Sequence, residues 1–232
     1  MLEQQFKMSV STKNNSRNAA NEKQSTKDRI VQAGIKLFNL QGYVNVTIRD
    51  IAEEVGISSG NLAYHYKNKV AVLAAAYEGM TGELARMVTG VQLIPSFDNI
   101  DRQIKPFVEF QKAYRFFWQD TVEICRAMPS IADTLQAQTS NQIASIRAML
   151  DYSVGSGNMV SEPNPGSYDH LARTTWTLVA FWLPASFLQE DPPKGPEPAI
   201  WNMILPLLTQ KGHKNFAPVG LRHGLIDNSS TN

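Results

Sequence analysis

Apolar positions between residues 30 and 88 recur at helical spacing, with no run of strict alternation long enough for a sheet. Ile30, Ala33, Gly34, Leu37 and Phe38 form one face of a helix that Ser25 can cap, with Asp28 in its first turn, and that Gly42 ends. Ile48, Ile51, Ala52 and Val55 repeat the pattern over a shorter stretch. Thr47 precedes it as a helix N-cap, Asp50 can reach back to the free backbone N–H groups, and Val46 and Ile51 occupy the staple positions. Gly56 stands where a helix stops on a left-handed residue, which glycine adopts without a Cβ clash. Ser58 can cap a second short helix with Leu62 turned inward and Asn61, Tyr64 and His65 outward. Helix, glycine turn and capped helix make the helix-turn-helix pattern, whose second helix enters the DNA major groove.

Downstream, Asn68 caps a long helix whose inward face is Leu73, Ala76, Tyr77, Met80, Leu84, Met87 and Val88. Further helices are expected over residues 100–118 (interrupted or started at Pro106), 121–127, 130–154, 170–189 and 199–210, with a Gly- and Pro-containing loop at 155–167. The predicted fold is all-α: a three-helix DNA-binding domain at 25–72, then a helical domain at 73–210. Residues 1–24, rich in Asn, Ser and Lys, read as a flexible arm. Its Lys7, Lys13, Arg17 and Lys23 either follow DNA phosphates or are merely solvated. Residues 211–232 are expected to be a frayed tail.

Charge alters this picture little. The formal net charge is only +1, so DNA contact must come from local patterning. The single cysteine, Cys125, excludes an internal disulfide and fits a reducing cytosol, as a core residue or as a redox sensor. The N-terminus lacks the apolar stretch of a secretory signal. The apolar run from Trp176 to Leu188 is too short to span a bilayer. A cytoplasmic protein without membrane contact is expected. His65, His170, His213 and His223 are too scattered for a zinc pattern, and no phosphate-cradling loop or nucleophile elbow is present. No cofactor, metal or catalytic residue is expected, and an enzyme ranks last among the readings.

One longer register is specific. Thr47-Ile48-Arg49-Asp50-Ile51-Ala52, Gly56-Ile57-Ser58-Ser59-Gly60, Tyr64-His65-Tyr66 and Lys69, with the preceding helix and Gly42, resemble the DNA-binding domain of TetR/AcrR-type bacterial repressors over residues 25–75. The sequence departs from that family at Ala63, where an aromatic usually touches phosphate; Tyr64 is the neighbouring substitute. The resemblance implies a homodimer on a near-palindromic operator in double-stranded DNA, released by a small apolar or amphipathic effector. A DNA-bound adaptor that recruits a protein partner and senses nothing is the alternative.

Candidate DNA residues follow from residue chemistry and from the resemblance. Ser58, Ser59 and Gly60 offer backbone N–H groups and hydroxyls to phosphate. Asn61 suits an adenine edge, and His65 can donate to guanine or phosphate. Thr47, Tyr64, Lys67 and Lys69 are expected on phosphates, Arg49 on base or backbone, and Tyr66 more in the core than on phosphate. Farther along, Tyr114, Phe117, Trp118, Thr121 and Trp176 are expected to line an effector pocket, with ordinary core as the bland alternative. The two last predicted helices are apolar on too many faces for a monomer. The resemblance makes them a four-helix dimer interface, with Trp182, Leu183, Trp201 and Leu205 as candidates.

Overall fold

The computed structural model describes residues 25–89 and 94–227. The basic arm expected over residues 1–24 and the last residues, 228–232, lie outside them. Within the described residues the chain is all-α. Helix α1 (Thr26–Gln41), α2 (Ile48–Val55) and α3 (Ser59–His65) precede the long α4 (Lys69–Thr89). Then come α5 (Phe97–Ala113), the short α6 (Arg115–Gln119) and α7 (Thr121–Ala127), and the longer α8 (Pro129–Gly155) and α9 (Ser167–Ser186). The described chain closes with α10 (Glu197–Ile204), a 3-10 turn and α11 (Gln210–Arg222).

The local signals act as sequence chemistry requires. The Ser25 side chain accepts from the Asp28 backbone N–H at the start of α1. At α2, Thr47 and Asp50 close a reciprocal capping box, with the Thr47 N–H donating to Asp50 Oδ2 at 2.7 Å. Val46 and Ile51, the staple pair, are both buried. Gly56 ends α2 at φ 73°, a left-handed conformation that any Cβ would strain. Asn68 Oδ1 accepts from the Ala71 N–H and starts α4.

Packing does not divide at the expected boundary between residues 72 and 73. Val72 and Leu73 belong to one continuous core that runs from Ile30, Phe38, Ile51 and Leu62 into Phe110, Phe116, Phe117 and Ile124. Helices α1, α2 and α3 therefore share their hydrophobic core with α5, α6 and α7. A second core at the far end gathers Phe97, Leu150, Tyr168, Trp201 and Phe216.

Two expectations are corrected there. Residues 211–222 are not a tail: Thr209 caps α11, whose Phe216 and Val219 are buried beside Phe97 and Trp201. The Gly and Pro residues of that stretch suggested disorder, but Gly212 lies where an added Cβ would stand 1.9 Å from the Asn158 carbonyl oxygen. Glycine there permits close docking. Trp201, expected at an interface, is buried within its own subunit. Its ring packs on Phe216 at 5.4 Å, and its indole N–H donates to Asp101 Oδ1 at 2.7 Å inside the same subunit. Helix α11 supplies the cover that the sequence pattern assigned to a second subunit. Trp182 and Leu183 are likewise buried, against Val108 of α5, while Leu205 is half-buried against the second core.

Candidate nucleic-acid interface and internal cavity

Helix α3 is pinned by one side chain. Leu62 is fully buried, so the remaining surface of the helix is directed by its packing. Ser58, Ser59, Gly60, Asn61 and Tyr64 are exposed and His65 is half-buried. The Ser58 hydroxyl accepts the Asn61 N–H at 3.1 Å, a cap that orients the first turn. Tyr64, 86% exposed, stands edge-on to the His65 ring at 5.3 Å. Ala63 beside it is exposed and small. Thr47, Arg49 and Lys67 are also exposed near this helix in sequence. Tyr66 is buried, the core role weighted above phosphate contact, and the Lys27 ammonium lies 5.7 Å from its ring centre.

Lys69, expected on phosphate, also makes contacts within the chain. Its ammonium donates to the carbonyls of Tyr43 at 2.8 Å and Val44 at 3.2 Å, and sits 4.4 Å from the Tyr43 ring centre. Burial pushes its pKa down, with Asp50 opposing. Its first task is to brace the turn between α1 and α2, leaving one N–H direction for phosphate. On α2, Glu54 pairs with Lys36 at 2.6 Å, and the Asp50 carboxyl is held low by its hydrogen bonds to Thr47.

Four of the five expected pocket residues come together. Phe117, Trp118, Thr121 and Trp176 line one cavity of about 130 Å³, with Tyr77 and Leu84 of α4 on its wall. Tyr114 lies apart: its hydroxyl donates to Glu83 at 2.8 Å and its ring packs on Phe110. Burial, then the Glu83 contact, pushes the Tyr114 phenol up to about 12. Tyr77 was legible only as an inward α4 residue, since nothing local marks a cavity wall. Cys125 is half-buried on α7 with its thiol pushed up by burial, opposite to the depressed pKa of a redox-sensing thiolate.

A further set of contacts escaped the sequence entirely. Asn39, near the end of α1, donates from Nδ2 to the Ala113 carbonyl at 2.8 Å and accepts the Phe116 N–H on Oδ1 at 3.0 Å. Arg115 Nε donates to the Asn39 carbonyl at 2.6 Å. Asp120 Oδ2 accepts the Tyr43 N–H at 2.6 Å. The partners lie over seventy positions apart, so no local pattern announces them.

Residues 30–76 match the family described as bacterial regulatory proteins, tetR family, and residues 76–216 match the one described as bacterial transcriptional repressor. The uncharacterized HTH-type transcriptional regulator YerO of Bacillus subtilis (strain 168) is 44% identical over 56 residues, 24% of this chain and 19% of YerO's length. The HTH-type transcriptional repressor KstR2 of Mycolicibacterium smegmatis is 22% identical over 173 residues, 72% of this chain and 84% of KstR2. In fold, the chain resembles a TetR-family transcriptional regulator from Marinobacter aquaeolei VT8 at TM-score 0.74 and 19% identity, over 86% of this chain and 98% of that one. With its first and second parts both matched, this chain belongs to the TetR family of bacterial transcriptional regulators and carries the family's helix-turn-helix at its N-terminus.

Proposed function

We propose that the protein is a homodimeric repressor, acting in the bacterial cytoplasm, that leaves a near-palindromic operator when a small effector fills the cavity between α4, α6 and α9. Two copies of α3 would read successive major grooves, with Asn61 and His65 on base edges and Thr47, Ser58, Ser59, Tyr64 and Lys67 on phosphates. Arg49 would reach base or backbone from α2. Among the described residues no helix is long and apolar enough to cross a membrane.

The dimer face proposed is the open groove between α9 and α10, lined by Leu178, Phe181, Ala185, Ala199 and Asn202. This moves the interface outward from the buried Trp182, Leu183 and Trp201. The groove's exposed Phe181 is the kind of surface that association covers.

The observation that carries the effector reading is the placement of α6. Phe117 and Trp118 of this helix line the cavity, while its first turn and the residue after its end grip α1 and the turn that follows. A ligand pressing on α6 would therefore bear on the reading head directly, in addition to the long helix α4. It would shift the balance between DNA-competent and incompetent states only by its differential affinity. This favours sensing over a DNA-bound adaptor. The test is effector titration with and without an operator obtained by selection from random DNA. Linkage requires that operator weaken effector binding by the factor by which effector weakens operator binding. Equal effector affinities in both titrations would reject release by effector.

A further inference from the structure

We propose that Gln111 is a positioning residue. Its buried amide replaces the backbone donor that Pro184 withholds from α9, and so fixes the end of α9 that carries the proposed dimer face. This rests on the dimer reading above and names the side chain that holds that face in place.

Ile104, Val108 and Gln111 follow one another at i, i+4 and i+7 on α5, a row in which only the last is polar. Val108 packs with Trp182 and Leu183 of α9, and Ile104 lies against the same cluster. Gln111 is fully buried, where an amide costs stability unless it is hydrogen-bonded.

Its partners are main-chain oxygens of α9. Gln111 Nε2 lies 3.0 Å from the Val179 carbonyl and 3.5 Å from the Ala180 carbonyl. Two acceptors at one end of the amide assign that end as the NH2, while Oε1 is buried with no partner. Only the donors are used. Pro184 stands inside α9, four residues after Ala180. In a regular helix the N–H of residue 184 would bond the Ala180 carbonyl; proline has no N–H, and its ring crowds that same oxygen. Ala180 is buried, and a buried carbonyl short of a donor is costly. The amide from α5 stands in for the missing bond where α9 is weakest. This stretch of α9 is also a partition: Ala180 lines the cavity, Ala185 the outer groove, and Phe181 both.

Gln111→Met keeps the side chain's length and removes its donors, and Pro184→Ala restores the backbone N–H. Wild type, both variants and the double variant should be compared as full chains by hydrogen exchange and sedimentation. With Pro184 in place, Gln111→Met should speed exchange of the amides at 182, 183, 185 and 186 about tenfold. The dimer dissociation constant should rise at least about fivefold in the same protein. In the Pro184→Ala background, Gln111→Met should change either quantity less than about twofold. Equal effects in the two backgrounds overturn the proposal, since a side chain that merely fills space gains nothing from an N–H at 184. An unmoved dimer constant in Gln111→Met, while Ala185→Glu gives monomers, also overturns it and leaves the dimer face standing. If Ala185→Glu and Ala199→Glu both stay dimeric, the dimer reading falls instead, and the exchange rates alone decide whether Gln111 holds the end of α9. Should Gln111→Met fold only together with Pro184→Ala, that rescue supports the proposal. If neither form folds, the restored N–H has rescued nothing and the proposal falls.

Discussion

The Asp120 carboxylate accepts the backbone N–H of Tyr43 at 2.6 Å, joining the end of α6 to the turn that follows α1. Its removal leaves a half-buried N–H without an acceptor. Asp120→Ala should lower unfolding stability by about 1–3 kcal/mol, as for loss of a hydrogen bond to a charged group. The variant should still bind a cavity ligand while the ligand's effect on operator affinity shrinks. Urea unfolding with paired titrations checks both; intact coupling in a folded Asp120→Ala protein would remove this contact from the release path.

The exposed face of α3 predicts sequence discrimination. Asn61→Ala and His65→Ala should each narrow the gap between operator and scrambled DNA by about 1–3 kcal/mol, the usual worth of a good base contact. Gel-shift titrations on both DNAs measure it. Preference unchanged in both variants would take these side chains off the reading surface.

Lys67 and Lys69 should behave differently although two positions apart. Lys67→Ala should weaken binding to all DNA alike and reduce the slope of log affinity against log salt by about 0.9. Lys69→Met should chiefly lower stability, by about 1–3 kcal/mol, because its ammonium serves two carbonyls of the turn. If Lys69→Met flattens the salt slope as much as Lys67→Ala and leaves stability unchanged, the bracing role is wrong.

The outer groove and the inner core separate by mutation. Ala185→Glu and Ala199→Glu each place a carboxylate on the proposed dimer face, and sedimentation should then give helical monomers. Trp201→Ala should instead cost about 3–5 kcal/mol of subunit stability by opening the second core. Dimers that survive both glutamate changes would place the interface elsewhere.

Alkaline pH should act through Tyr114, whose phenol is raised from an ordinary 10.0 to about 12 by burial and Glu83. The folded chain keeps that proton where the unfolded chain has lost it. Its stabilisation is therefore complete below about pH 10 and disappears as pH climbs toward 12. The stability difference between wild type and Tyr114→Phe should fall across this window in denaturant titrations. A difference constant from pH 9 to 12 would show that Tyr114 does not titrate late.

What the sequence disclosed was what neighbours in sequence decide. The Thr47–Asp50 box, the Gly56 turn and the Leu62 anchor each lie within a few residues, so their spacing alone carries the geometry. The apolar periodicity of α1 and α4 likewise marked buried faces. Contacts made across the chain left no such trace. Asp101 receives Trp201, Arg222 and His223 from about a hundred or more positions away, and α11 was hidden because its glycines resembled a tail's. The cavity was half visible: aromatic residues flagged α6 and α9, yet periodicity cannot distinguish Tyr114, which faces Glu83, from Trp118, which lines the space.

The turn that follows α1 is held from two directions, by Lys69 at the start of α4 and by Asp120 from beyond α6. Engineers who build hybrid sensors by splicing the reading head of one regulator onto the receptor half of another would cut near residue 72. In this protein such a graft would keep the first grip and discard the second, together with Arg115 and the carbonyl of Ala113 that Asn39 needs. A chimera made that way should fold its head and yet answer poorly to its new receptor. The transplantable unit is discontinuous: the head plus the α5–α7 junction, carried across as one piece.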